Sequence, residues 1–421
     1  MHTPAELHPI AASERVEAMD VLRGFALLGI LLMNIEAFVG PLAAALDGLD
    51  PSLEGADRIV DAAIYIFVQG KFYLLFSLLF GMGFGVMMQR AALHGHSFAV
   101  LYLRRTLALL AIGLIHLLLI WSGDILTVYA LIAIPLLLVF RSVPTRQLPY
   151  WALGLYGLTL IMVAGFSALG ALAQLEPTAA AMMQEELKKQ GAEMTRLIAA
   201  ERTAYGSGSY AQAVMQRALD GMTMVPYTLL MGGQILAMFV LGAWFSRSGA
   251  IASPQIHSRL YTALRRVALP VGLGLMSISF WMVPTVAFDR LDLTSGIAAV
   301  LALIASPLMC LGYLAWILRG LDSTLAPYLR WLAPAGRMAL TNYLVQSLVC
   351  TLVFYGYGLG YFEQLPRVWQ VPFVFALFVL PQYQGRGLGT RLLDRATSWL
   401  WQQGSEPIWL TTGASTKAVA F

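Results

Sequence analysis

The feature that most constrains this chain is the recurrence of apolar runs close to the roughly 20 residues an α-helix needs to cross the hydrocarbon core of a bilayer. The runs carry few charges, and basic residues collect at their ends. Only 12% of the 421 residues are charged and 58% are hydrophobic, with a mean hydropathy of +0.70, whereas a soluble domain carries about 25% charged residues. A bundle of membrane-spanning helices follows, because inside lipid only helices and closed barrels satisfy every backbone polar group. The first run is preceded by the polar residues 1–19 and succeeded by many more, so it reads as a retained span rather than a cleaved signal.

Taken in order, the runs predict helices over residues 21–39, 62–88, 106–121, a fourth ending before Arg141, 150–173, 226–245, a seventh ending near 287, 296–318 and a ninth opening at 336. Residues 371–380 read equally as a tenth helix or a buried strand, since periodicity does not separate the two in so short a run. The expectation is an all-α polytopic membrane protein of about ten transmembrane helices with a small C-terminal α/β fragment. Its parts are a tail at 1–19, a membrane domain at 20–370 and the fragment at 371–421. Arg90, Arg104, Arg105, Arg141 and Arg146 fall on one side, which places the N-terminus in the cytoplasm. The long hydrophilic segment 174–221 is then extracytoplasmic, either a solvated connector or a lid of two helices broken at GSGS, Gly206 to Ser209. The formal charge of +4 comes from helix ends, so lipid and not nucleic acid is the expected partner. Cys310 and Cys350 fall inside spans and suggest neither a disulfide framework nor a metal site. Oligomeric state is not encoded in any of these features.

Polar groups inside apolar runs are costly and mark candidate sites. In DVLRGFALLGILLMN, Asp20 and Arg23 lie three apart and pair on one helical face, as a topological anchor or as a polar site at the mouth of the bundle. His116 is the histidine inside a span, and its ordinary pKa near 6.5 suits general-base work. Asp124 follows eight residues later, about 12 Å along the axis if the helix continues. On that assumption the two line one cavity without a direct hydrogen bond; the plainer alternative is a neutral His satisfied by a backbone carbonyl. Arg337, Thr341, Asn342 and Gln346 form a second polar stripe, read as interhelical glue or as an anion pocket shared with Arg23. Lys71, His116 and Asp124 together also suit a small-solute or proton path. Gly81 and Gly85 have the spacing that lets a neighbouring helix approach closely.

The blocks DVLRGFALLGILLMNIEAF, GKFYLLFSLLFGMGFG, GLIHLLLIWSGDILTVYALIA and AGRMALTNYLVQS, in that order, resemble the YeiB-like family of bacterial inner-membrane proteins, known as domain of unknown function 418, over residues 15–370. That family is distantly similar to membrane acyltransferases that share an Asp-x-x-Arg start and move an acyl group from cytoplasmic acyl-CoA to an acceptor on the far side. The resemblance implies acyl-CoA or acetyl-CoA as donor and an extracytoplasmic acceptor. Arg23, Arg104, Arg105, Arg337 and Asn342 would hold the donor, and Asp20 would orient Arg23. The position where the acyltransferase-3 pattern has its catalytic His is Asn34 here, which cannot serve as a base; the base must then come from elsewhere, and His116, the histidine predicted inside a span and lining one cavity with Asp124, is the candidate.

The tail, FALFVLPQYQGRGLGTRLLDRATSWLWQQGSEPIWLTT, resembles the central part of a GCN5-related N-acetyltransferase: a strand, a Gln-x-x-Gly-x-Gly loop, a helix and a second strand. Gln384, Gly385, Arg386, Gly387 and Gly389 would offer backbone N–H groups to the pyrophosphate of acetyl-CoA at a helix N-terminus. The preceding strands of that fold are replaced by membrane helices. A fusion junction near 370–380 with an inert tail is therefore expected, against a tail that binds CoA beside the cytoplasmic mouth.

Overall fold

The computed structural model describes residues 16–46, 48–285 and 292–379. The chain divides into two units, 1–374 and 375–421, and of the second only 375–379 are described. Among the described residues every regular element is helical: α1 Glu17–Val39, α2 Gly55–Phe67, α3 Phe72–Leu93, α4 Phe98–Ile115, α5 Leu126–Pro135, α6 Leu148–Ala173, α7 Pro177–Gly206 and α8 Tyr210–Thr223. They continue with α9 Val225–Arg247, α10 Ser258–Ala263, α11 Leu269–Met282, α12 Leu293–Leu321, α13 Ala326–Arg330, α14 Ala333–Arg337, α15 Ala339–Phe354 and α16 Arg367–Val379.

Among the described residues seven helical stretches are long and apolar enough to cross a membrane, eight if the pair 326–337 and 339–354, bent by 79°, counts as one broken span. Two shorter apolar helices, Leu126–Phe140 and Arg367–Phe378, fall below that length, which is why the expected number was higher. Side chains such as Leu153, Ile161 and Trp281, each at least 70% exposed, coat the outside of the bundle, as lipid contact requires. Residues 371–379 are helical, so a strand reading of FALFVLP fails for its described part. The acetyltransferase-like loop at Gln384, Gly385, Arg386, Gly387 and Gly389 lies outside the described residues.

The glycine spacing in α3 does what it predicts. A methyl group on Gly81 would fall 2.0 Å from the Phe239 carbonyl oxygen, and one on Gly242 of α9 would fall 2.0 Å from that of Leu78. Two backbones thus touch directly, with Phe80 stacked on Phe239 beside them at 4.5 Å.

Two expected helices are interrupted where tertiary contacts take over, and a third begins earlier than expected. The run 62–88 breaks between α2 and α3, where Gly70 adopts φ +84° and Lys71 is fully buried, donating to the Tyr65 carbonyl at 2.9 Å. Lys71 therefore does not reach an interface. Arg104 and Arg105 do not precede a helix but sit inside α4, which starts at Phe98, and both are exposed. Arg337 closes α14, and Asn342 begins the differently directed α15, so the two do not share one helical face.

Candidate functional site: a buried His–Asp dyad

α4 does not run on through Asp124. The five residues that follow α4, His116–Ile120, widen into a π-turn in which the Trp121 N–H bonds back to His116 O at 2.8 Å. Such turns recur at functional sites because they misalign the helical ladder. Trp121 is extended, and its indole folds over Gly123, where a methyl group would lie 2.4 Å from the ring. Gly113 leaves room for the first turn of α5, since a methyl group there would meet Thr127 N at 2.5 Å. The chain reverses, and Asp124 comes back beside His116.

The Nδ1 of His116 lies 2.9 Å from Asp124 Oδ1, and neither side chain is accessible to solvent. The expectation that the two cannot hydrogen-bond is thus overturned, because it extrapolated a helix through residues 121–125, which form the turn. The other oxygen, Asp124 Oδ2, accepts the Thr127 N–H at 2.7 Å. With the carboxylate accepting at both oxygens, Nδ1 is the donor, and the lone pair of His116 is on Nε2. Among the described residues, His116 Nε2 has no hydrogen-bond partner. A ring held in this way can take up a proton at Nε2 while its carboxylate partner balances the charge.

The walls come from three directions. Trp121 stacks on Phe38 of α1 at 4.0 Å, and the ring of Tyr343 on α15 lies 5.0 Å from that of His116. From outside, α8 clamps the π-turn: Arg217 donates to Leu119 O at 3.0 Å and Tyr210 donates to the same oxygen at 2.8 Å. Carbonyls at a helix C-terminus lack an intrahelical partner, and α8 supplies one. Arg217 itself is fully buried among the rings of Tyr205, Tyr210, Tyr355 and Tyr357, with centroids 5.5 to 5.9 Å away.

Segment 174–221 is therefore more than a solvated connector. Its two helices part at Gly206–Ser209 as the sequence predicts, with Ser209 in a capping box. Glu201, Arg217 and Asp220 are buried, however. The partners of Glu201 and Arg217 lie far away in sequence, and the Tyr/Gly-rich stretch after α15 was a legible signal for Arg217. Glu201 Oε2 accepts the Ala43 N–H at 3.0 Å, and Asp220 accepts from Tyr205 and from Gln216 at 2.7 Å. Burial, and then the Asp220 carboxyl beside it, push the Glu201 carboxyl up to about 8. Arg217, Tyr205, Tyr210, Tyr355 and Tyr357 are further charged or titratable groups on this cluster.

A carboxyl whose folded pKa is raised stabilises the docked state fully below its unfolded value near 4.5, and that contribution is lost as pH rises through about 8. Hydrogen exchange in α7 and α8, corrected for intrinsic rates, is expected to lose protection between about pH 6 and about pH 9. Glu201→Gln should flatten that dependence; equal protection of the native protein at both pH values would contradict it.

The expected anion-binding residues are only partly gathered. Asp20 and Arg23 pair at 3.0 Å. Gly336 packs on them so closely that a methyl group would sit 1.8 Å from Asp20 O, which brings exposed Arg337 to the same corner. Arg104 and Arg105 belong to α4 instead, with Arg105 over the Phe80 ring at 6.0 Å. Asn342 donates to Ala335 O at 3.0 Å and so clasps the bend between α14 and α15. Missed entirely was a cluster in which buried Arg367 meets Glu36 and Asp61, each at 2.8 Å. Glu36, a carboxyl within the first apolar run, was the available signal. Among the described residues no group of three His, Cys, Asp or Glu side chains is arranged to hold a metal ion.

The family model described as a protein of unknown function (DUF418) matches residues 245–383, and that of the acetyltransferase (GNAT) family matches 355–421. Uncharacterized protein YxaH of Bacillus subtilis (strain 168) is 31% identical over 98% of this chain and 100% of its own length. Uncharacterized protein YeiB of Escherichia coli (strain K12) is 31% identical over 93% of this chain and 96% of its own. An uncharacterized 39.9 kDa protein from the amylase 3' region of Bacillus acidopullulyticus is 44% identical over 30% of this chain and 34% of its own length. With two relatives similar over nearly their whole lengths, the chain belongs to the YeiB-like, DUF418 family of membrane proteins.

Proposed function

We propose that this protein is an integral-membrane acyltransferase that moves an acyl group from cytoplasmic acyl-CoA to a hydroxyl or amine acceptor on the extracytoplasmic side. The observation that carries the reading is the buried His116–Asp124 pair with an unengaged Nε2. A general base needs that arrangement: a proton acceptor oriented through its other nitrogen and screened from water. In this reading the N-terminus is cytoplasmic, so the corner of Arg23 and Arg337 faces the compartment that holds acyl-CoA. α15 starts two residues beyond Arg337, and its residue Tyr343 reaches the ring of His116.

In the reaction, Nε2 removes the proton from the acceptor as its oxygen or nitrogen attacks the thioester carbonyl, and Asp124 stabilises the imidazolium. When the tetrahedral intermediate collapses and the C–S bond breaks, the imidazolium returns the proton to the departing thiolate. The acyl group now rests on the acceptor, CoA leaves as the thiol, and His116 is neutral again. Arg23, oriented by Asp20, and Arg337 bind the phosphates of the donor. Arg104 and Arg105, away from this corner, are not needed. The GNAT-like loop at 384–389 is a second place where CoA phosphates would find backbone donors.

The purified full-length protein in detergent is expected to bind acyl-CoA saturably. Arg23→Ala should weaken that binding about tenfold or more, the loss of one charge-assisted phosphate contact. Absence of saturable binding would overturn the reading and favour transport; the path through Lys71 would then have to be traced afresh, because Lys71 is tied to the Tyr65 carbonyl.

A further inference from the structure

Seven buried side-chain polar atoms among the described residues have no hydrogen-bond partner, and four of them belong to residues on the dyad's own elements or on α15: His116 Nε2, Thr127 Oγ1, Tyr343 Oη and Gln346 Nε2. An unmade hydrogen bond in a buried site costs about 1–3 kcal/mol. Several in one seam point to something that binds there. Tyr343 and Gln346 are three residues apart on α15 and so share the face that packs on the π-turn. Each is only 5% exposed. Their neighbours in the same polar stripe are already engaged, Asn342 with Ala335 O at 3.0 Å and Ser347 with Tyr343 O at 3.0 Å.

The donor and acceptor inventory of the seam defines what it takes. Gln346 Nε2 only donates, the Tyr343 hydroxyl donates readily, and His116 Nε2 accepts once Nδ1–H is committed to Asp124. A group that satisfies all three offers a strong acceptor oxygen next to an O–H or N–H. A free anion would meet the two donors and leave Nε2 empty. A carbonyl approached by an acceptor hydroxyl or amine meets all three.

We infer that Tyr343 and Gln346 are catalytic residues that hold the acyl carbonyl oxygen beside His116, forming a two-donor oxyanion site on α15. This rests on the acyl-transfer reading and extends it to residues on another helix. Donors aimed at a developing oxyanion in a site closed to water are among the largest contributions to acyl-transfer rates, about 10²–10³ in kcat for a single donor. The bend between α14 and α15 then has a purpose: it carries the chain from the Arg337 corner to the carbonyl site within the first turns of α15.

The test uses the full chain in detergent with acetyl-CoA and palmitoyl-CoA carrying ¹³C at the thioester carbonyl. Saturable binding is measured first, and the carbonyl stretch of the bound donor is then read by isotope-edited infrared difference spectroscopy. The native protein should shift the band to lower frequency than in free donor. Tyr343→Phe and Gln346→Met, both close in shape to the originals, should each return it part of the way, and the double variant should return it fully with donor affinity little changed. A bound donor whose band is the same in the native protein and the double variant would overturn the oxyanion assignment alone, leaving these groups to bound water. Failure of both donors to bind would overturn the acyl-transfer reading and this assignment with it.

Discussion

In a His116→Ala variant, transfer of labelled acyl groups from acyl-CoA on the cytoplasmic face of inverted vesicles into any product other than CoA thioester is expected to fall about 10²–10⁴-fold, the usual contribution of a positioned general base. Membrane insertion should be unaffected, because the side chain lies inside the seam and its removal still leaves Asp124 bonded to the Thr127 N–H. Saturable acyl-CoA binding should also persist, since the phosphates are assigned to Arg23 and Arg337. Asp124→Asn should lower the rate as well: an amide can donate to Nδ1 and favour the wrong tautomer, which moves the proton to Nε2. The loss should therefore appear in turnover rather than in donor affinity. Full activity in His116→Ala would remove the base from the mechanism, whatever the geometry of the dyad.

How much of this was legible depends on where the cause of each feature lies. Spans set by a run of apolar residues read well: 21–39 against Glu17–Val39, 150–173 against Leu148–Ala173, and 296–318 against Leu293–Leu321. Their cause is local, the length of chain that lipid can accept. The breaks read badly because they arise from contacts far away in sequence. Gly336 packs α14 against Asp20, more than three hundred residues earlier, and the reversal over 116–125 is held by Phe38 on Trp121 and by α8 on Leu119. His116 and Asp124 were found as residue types inside a span, but their separation was computed along a helix that does not exist there. Tyr343 was passed over because an aromatic residue in an apolar run looks like core. Only the absence of a partner for its hydroxyl sets it apart.

Arg367→Met should be the most destabilising single substitution in the described part of the chain. The guanidinium of Arg367 donates through Nη2 to Glu36 and through Nε to Asp61, both at 2.8 Å, and through Nη1 to Gln370 at 2.7 Å. Asp61 in turn accepts the Asp50 N–H at 3.0 Å, and Asp57 of α2 accepts the Val368 N–H at 2.7 Å. One cation thus joins the end of α1, α2 and the start of α16. Methionine keeps much of the volume but leaves two acidic groups together without a counter-charge. Removing one partner from a buried ionic cluster costs about 3–5 kcal/mol, most of it from the charges left behind rather than from the bonds lost. Thermal unfolding of the purified protein in detergent should show a drop in midpoint larger than that of Glu36→Gln, which leaves the guanidinium its bond to Asp61. Arg367→Lys should fall between them, because an ammonium lacks the planar fork that meets two carboxylates at once. The triple variant with Glu36→Gln and Asp61→Asn should recover much of the loss, since an entirely uncharged cluster carries no unpaired charge. A midpoint for Arg367→Met equal to that of the native protein would mean that water or lipid headgroups already reach these carboxylates, and that the three helices are held by packing alone.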